Sequence, residues 1–436
     1  MRATAHLAAL RWYIFPRVSP SAHPKGAASE EKLPPTEFAD YLLEIGGTLV
    51  AYGCPSYRLE EVIRVVAEIE GYAAQAFAIP TGLFVSITVP GQTTPVLRMI
   101  RVKEWGTNLD RLVLVDTIFN DVAADRITIK EARQRLVDLD KRPPPYSRAL
   151  TWVAIAAVSV AAAVFFRGGA LEVFVSGTTG ILIALIASLI GRNAKGRFLI
   201  DFAGGLVAAL LPWGLVRLGL DLSQEVVVLS GVIALIPGMT LTTGLAELAQ
   251  KNLVSGAARL MEAFVAFLSI LFGIALAIGI EHIVSTETSP PPLRQALSLP
   301  FQALALVAAS LGIAVVFAVP RRYLGAALAS GAIGYIATAL GTRYLPGHVS
   351  AFAAALAVCL FANGLARVTD RPSQLFQLPG MMLLVPGSFG FLSLEDFLRG
   401  DFLNGAAKGF SMLLIAGALV TGILLANAVL PARKLL

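Results

Sequence analysis

From Ala149 onward apolar residues run almost unbroken, and polar positions appear only as short clusters that divide the run. A bilayer core of roughly 30 Å takes about 20 helical residues per crossing. The clusters therefore mark out ten spans, near residues 149–166, 170–190, 198–218, 225–246, 254–281, 299–319, 323–341, 348–366, 375–396 and 403–430. The stretch before them, 37–147, is patterned differently. Phe38, Tyr41, Leu42, Ile45 and Leu49 recur at helical spacing, and after Gly53-Cys54-Pro55 so do Leu59, Val62, Ile63 and Val66, with Ser56 as the expected N-cap. Short β-rich runs at 76–79, 83–89 and 96–102 are parted by Pro80-Thr81-Gly82 and Pro90-Gly91. Helical spacing resumes at 108–125 and after Thr128, where Thr128 and Glu131 make a capping-box pattern. The order αα-βββ-αα predicts a soluble α+β domain, closed by the stiff Lys141-Arg142-Pro143-Pro144-Pro145. Residues 1–36 have no sustained period and read as a disordered leader, their apolar patch being too interrupted for a signal peptide.

Two of the spans repeat each other. Ala234-Leu235-Ile236-Pro237-Gly238-Met239 and Leu383-Leu384-Val385-Pro386-Gly387-Ser388 lie 149 residues apart. Nineteen residues after each proline comes Gly256-Ala257-Ala258 or Gly405-Ala406-Ala407, and a base follows each triplet, Arg259 or Lys408. Paired Gly/Pro-interrupted segments at matching places in two halves point to the broken helices of secondary transporters. Spans four and nine are an odd number of crossings apart, so the halves, 148–283 and 298–431, are expected to be inverted five-span repeats. Kinks that serve packing alone are the alternative.

Composition agrees with a polytopic α-helical membrane protein. Hydrophobic residues make up 56%, charged residues 15%, and mean hydropathy is +0.72, where a soluble domain carries about 25% charge. The net charge of +6 is an orientation signal, with no nucleic-acid partner implied. Lys141, Arg142, Arg192, Lys195, Arg197, Arg321, Arg371, Arg433 and Lys434 fall on one side, whereas Arg167, Arg217, Arg294, Arg343 and Arg399 fall on the other. The richer side holds the α+β domain and both termini, which places them in the cytoplasm of a cell inner membrane. Cys54 and Cys359 are too far apart in the chain to suggest a disulfide framework or a metal site, and no cofactor is expected.

Breaks in membrane helices free backbone polar groups, which are tolerated only beside protein or a water-filled cavity. Hydroxyls follow both breaks: Thr240, Thr242 and Thr243 after the first, Ser388 and Ser393 after the second. The candidate substrate site is therefore Pro237, Gly238, Met239, Thr240, Thr243, Pro386, Gly387 and Ser388, with Asn363 as a neutral addition. Helix ends there would supply donors to a carboxylate and acceptors to an ammonium; hydroxyls bonded back to their own helices are the alternative. Ionisable residues within spans are candidates for proton coupling. Glu262 lies about 12 Å into its span at 1.5 Å per residue, one turn from Arg259, so an ion pair with that arginine is the competing expectation. Asp201 and Glu247 sit nearer predicted ends, where solvent is expected. A hydrolase is the rival class, with Cys54, Ser56 or Ser86 as nucleophile. Yet His6, His23, His282 and His348 all lie outside 37–147, and no Walker-type loop is present.

The stretches Tyr52-Gly53-Cys54-Pro55-Ser56-Tyr57-Arg58-Leu59-Glu60-Glu61 and Ile79-Pro80-Thr81-Gly82-Leu83-Phe84-Val85-Ser86 resemble the threonine/serine exporter family. The resemblance covers essentially residues 37–430. It implies efflux of small amino acids driven by the proton gradient, about ten spans and two related halves; split relatives are associated with dicarboxylate export, and the soluble region carries a suggestion of hydrolase likeness. Gly53, Ser56, Arg58, Glu60, Pro80, Thr81 and Gly82 match the soluble motif, though the resemblance assigns them no role. Arg58 and Glu60 project from a first helical turn and could meet a partner surface or the transporter's cytoplasmic mouth. Cys54-Pro55 departs from the motif and favours a rigid turn. The expected partners are a small-molecule substrate, protons and the lipid bilayer, with homo-oligomerisation left open by the small-residue helix faces.

Overall fold

The computed structural model describes residues 34–89, 91, 93–103, 106–124, 126–191, 196–284 and 297–432. All but the last few residues of the expected leader lie outside these, as do Arg192, Lys195, Arg294, Arg433 and Lys434.

The N-terminal unit follows the expected order. Helices α1 (Pro35–Ala51) and α2 (Ser56–Ile69) precede strands β1 (Ala73–Ile79), β2 (Gly82–Thr88) and β3 (Val96–Arg101), and α3 (Leu109–Ala123) and α4 (Ile129–Lys141) complete it. The sheet is an antiparallel meander in which Ala78 faces Leu83 and Leu83 faces Ile100. α1 lies across β2 and β3, and α2 packs on β1. Central β2 is the most buried strand, whereas β3 and all of β1 but buried Ala78 and the end residue Ile79 alternate between exposed and half-covered positions, as edge strands with one solvated face do. The Thr128–Glu131 capping box is formed in full.

Helices α5 (Arg148–Phe165), α6 (Ala170–Ile190), α7 (Arg197–Arg217), α8 (Gln224–Val232), α9 (Gly238–Ala249) and α10 (Leu253–Val284) make up the first half of the bundle. The second half is α11 (Leu299–Val316), α12 (Leu324–Tyr344), α13 (Gly347–Thr369), α14 (Gln374–Met382), α15 (Gly387–Leu398) and α16 (Phe402–Val429). Among the described residues nine stretches are long and apolar enough to cross a membrane, one fewer than the ten expected. The missing one is span four, which is two helices of nine and twelve residues, each too short to cross alone. Span nine is also divided into helices of nine and twelve residues, but Gln374–Leu398 taken together is long and apolar enough to be counted. Pro237 and Pro386 cap the second pieces at φ −80° and −81°. Each lacks the N–H that would continue the ladder.

The broken helices run antiparallel. α9 ends against the N-terminal unit, where Asn252 donates to Glu60, and α14 begins against it, where Ser373 accepts from Arg58. At the far end Arg399, after α15, pairs with Glu225 at the start of α8 at 3.1 Å.

Packing in one half has counterparts in the other. α10 lies along α7 and α16 along α13. Ser159 abuts Gly180 as Ser310 abuts Gly331, and Thr179 abuts Gly231 as Ser330 abuts Gly380. Arg167 and Ala318 each turn the chain after a helix at φ 62° and 54°, with the same pair of hydrogen bonds closing the turn. Phe202 meets Gly273 and Phe352 meets Gly422 through backbone so close that no Cβ would fit. Such small-residue contacts hold helices together where lipid offers no hydrophobic drive.

The N-terminal unit sits on one end of the bundle and shares its core. Leu109 N–H donates to Phe317 O at 2.9 Å and Tyr146 OH to Val319 O at 2.5 Å. Ala314, Val319, Ala362, Leu375 and Phe376 belong to the same buried cluster as the interior of the αα-βββ-αα unit.

Candidate functional site

The two breaks meet. A Cβ on Gly387 would stand 3.5 Å from the Gly238 Cα and overlap Ile236, and one on Gly238 would overlap Val385. A side chain at either position would have to displace Val385 or Ile236. Because α9 and α15 both start here, two helix N-termini converge, each with unsatisfied N–H groups and a partial positive charge. Thr240, Thr243 and Ser388 are half-buried and make no side-chain hydrogen bond to the described residues. Thr242 instead donates to Gly238 O at 3.1 Å and Ser393 to Gly405 O at 2.6 Å. Met239 packs against the core shared with the N-terminal unit. A cavity of about 420 Å³ flanks the second break, lined by Leu383 and Leu384 together with Arg167, Gln302, Tyr335 and Thr338. Tyr335 OH donates to Gln302 Oε1 at 3.3 Å. Arg167 ends the helix that leaves the N-terminal unit, so this cavity lies toward the opposite end of the bundle.

The soluble motif converges on the other end of the same broken helices. Ser56, expected from sequence to cap its helix, does not; Pro55 holds the cap position without a side-chain bond. Ser56 N–H donates to Glu247 Oε1 at 3.0 Å, and its hydroxyl lies 2.7 Å from that of Ser255. Ser255 Oγ and Arg259 Nε both donate to Glu247 Oε2, at 2.7 and 3.1 Å. Glu247 is thus fully buried rather than solvated, its charge held by a base and two donors. Glu60 accepts from Ala78 N–H at 2.9 Å and from Asn252 at 3.1 Å, tying sheet, motif and bundle together. Gly53 adopts φ 93° against Thr107, a left-handed turn that suits glycine. Gly82 lies under Ile100 O, and Thr81 O accepts from Val102 N–H at 3.0 Å. Those two shape the sheet.

Arg259 therefore pairs with Glu247, not with Glu262. Glu262 faces Arg197 at 3.7 Å, and Asp201, expected near solvent, is buried within electrostatic reach of both. The reason is helix packing: α7 lies along α10 and covers this face. Asn363 does not join the breaks. Its amide donates to Asn427 Oδ1 at 3.0 Å and to Leu430 O at 2.9 Å, fastening α13 to the end of α16.

Sequence reading missed the partner of the Glu247 pair. Lys408 Nζ lies 2.7 Å from Asp396 Oδ2, and Asp396 and Lys408 follow Glu247 and Arg259 at the same 149-residue offset. The offset that related the prolines would have found it. For the hydrolase reading, burial pushes the Cys54 thiol up to about 12, which disfavours a thiolate. His282 and His348 stand at the far end of the bundle, out of reach of Ser56.

Comparison with known proteins adds to this geometry. Threonine/serine exporter family models match residues 40–280 and 302–429. A threonine/serine exporter of Corynebacterium glutamicum is 24% identical over 96% of this chain and 89% of its own length. A "Probable threonine/serine exporter" of Mycobacterium tuberculosis is 25% identical over 78% of this chain and 65% of its own length. An uncharacterized protein of Schizosaccharomyces pombe is 28% identical over 58% of this chain, which spans only 34% of that longer protein. No solved structure matches. With family models covering both the soluble motif and the two broken helices, the chain belongs to the threonine/serine exporter family.

Proposed function

We propose that this protein is a secondary active exporter of small polar amino acids, threonine- or serine-like, built from two inverted five-span halves in a cell inner membrane with the N-terminal unit and both termini cytoplasmic. The carrying observation is the antiparallel crossing of two broken helices, N-terminus to N-terminus, at Gly238 and Gly387. Two converging positive helix ends suit one carboxylate. The unbonded hydroxyls of Thr240, Thr243 and Ser388 suit an ammonium and a side-chain hydroxyl. The cavity beside Leu384 supports an approach from the far side. The exporter names of the bacterial relatives favour the amino acids over dicarboxylates. In the closed crossing the cargo has no room between the glycines, so binding needs the halves to part. That is what alternating access about a fixed site requires.

Proton coupling belongs to the same reading. Glu262 pairs with Arg197 at 3.7 Å and Asp201 lies buried close by, and ionisable residues inside membrane spans are the groups through which protons are carried. The test is counterflow of labelled threonine and serine in proteoliposomes, with and without an imposed pH gradient. Uptake that saturates and accelerates with the gradient is expected, as is loss of the gradient response in Glu262→Gln. No flux of either amino acid, or flux of a dicarboxylate alone, would replace the substrate assignment.

A further inference from the structure

We infer that Arg58, on the N-terminal unit, is a carboxylate-recognition residue at the cytoplasmic entrance, receiving the cargo before it reaches the breaks. This rests on the exporter reading and adds a second, sided site to it.

Arg58 as a residue is only 8% exposed. Among the described residues its one side-chain hydrogen bond runs from Nη1 to Ser373 Oγ at 3.2 Å. No carboxylate among the described residues forms an ion pair with it. A buried cation without a counter-charge is costly, and structural arginines of this depth are paired. Glu247 and Glu60 lie in the same junction but are otherwise engaged, the first with Arg259, Ser255 and Ser56, the second with Asn252 and Ala78.

Position adds a second argument. Ser373 is the N-cap of α14, yet its side chain caps no backbone N–H of that helix. Arg58 thus points its charge at the positive end of a helix, where a cation is unfavourable and an anion is favoured. Guanidinium and helix end together make an anion site that no carboxylate among the described residues fills. The Ser373 hydroxyl stands where a carboxylate oxygen would accept from Nη1. Arg58 matches a carboxylate in bidentate fashion, as lysine would not. α14 leads from Ser373 to the second break, so an acid released here has a helix to follow to the crossing.

The test uses the full-length protein in proteoliposomes of defined orientation, with labelled threonine presented to one face at a time. Arg58→Gln should raise KM at the cytoplasmic face by about tenfold to a hundredfold, the range of a lost charge-assisted hydrogen bond, and leave KM at the far face unchanged. Arg58→Lys should recover part of the loss. Threonine amide should compete poorly with threonine at the cytoplasmic face of the wild type, and Arg58→Gln should erase that discrimination. Unchanged KM at both faces, an equal rise at both, or retained discrimination against the amide would each overturn the assignment. Size-exclusion profile and thermal midpoint keep a folding defect apart, and a variant that fails to fold hands the decision to Ser373→Ala, which should strengthen carboxylate competition. Flux in the wild type guards the distinction: none at all refutes the exporter reading, whereas wild-type flux with an indifferent Arg58→Gln refutes only this one.

Discussion

Glu247 and Asp396 occupy matching places and pair with matching bases, yet they are not worth the same. Side chains of Arg259 and Glu247 are 12% and 0% exposed, against 37% and 17% for Lys408 and Asp396. Removing one partner of a buried pair strands the other charge. Glu247→Ala should therefore destabilise the protein by about 3 kcal/mol, and Asp396→Ala by about 1 kcal/mol or less, in unfolding titrations in mixed micelles. Equal losses would mean that the N-terminal unit does not seal the first pair. Cys54 reports on the same seal. In Cys359→Ala protein, labelling of Cys54 by a maleimide should be slow at pH 8 and should keep rising with pH beyond 9, because the folded thiol holds its proton to about 12. The unfolded thiol releases it near 8.5, so stability falls as pH rises between the two values. Adding Glu247→Ala should speed labelling at pH 8. Sequence named Glu247, Glu262 and Asp201 as the ionisable residues to watch, since charge inside an apolar run stands out. It mispaired them, because neighbours along a helix are visible in sequence and neighbours across helices are not.

Helix breaks carry the argument at the next scale. Pro237-Gly238 and Pro386-Gly387 were legible as interruptions, since proline removes a donor and glycine a side chain in an otherwise apolar span. That each would split its span into helices of nine and twelve residues followed only from the fold. Gly238→Val and Gly387→Val should abolish threonine counterflow while the protein still inserts and purifies as a single species, because the added side chain enters Val385 in one case and Ile236 in the other. Retained flux in both would move the substrate site away from the crossing. The capping box at Thr128 and Glu131 was read correctly because its partners lie three residues apart. Ser56 was misread as a cap because its real partners, Glu247 and Ser255, come about 190 and 200 residues later.

Among the described residues, the N-terminal unit covers one end of the bundle and not the other. The αα-βββ-αα unit engages the turns after α9, α11 and α13, and Arg167, Arg343 and Arg399 lie at the far end. With the proposed orientation, single cysteines placed at Arg343 and Arg399 in a protein lacking Cys54 and Cys359 should label with an impermeant maleimide from outside intact cells. One placed at Lys141 should label only after permeabilisation. The reverse pattern would turn the exporter over and make Arg58 an external site. Sequence alone determined the membrane class, the rough spans and the order of the N-terminal elements, because hydropathy and periodicity are local or additive along the chain. Tertiary structure decided what those parts do to one another: that the breaks touch, that the motif docks on the opposite ends of the broken helices, and that Arg58 is buried with no counter-charge among the described residues. Each of these depends on distance in space between residues far apart in the chain, which a string of residues does not encode.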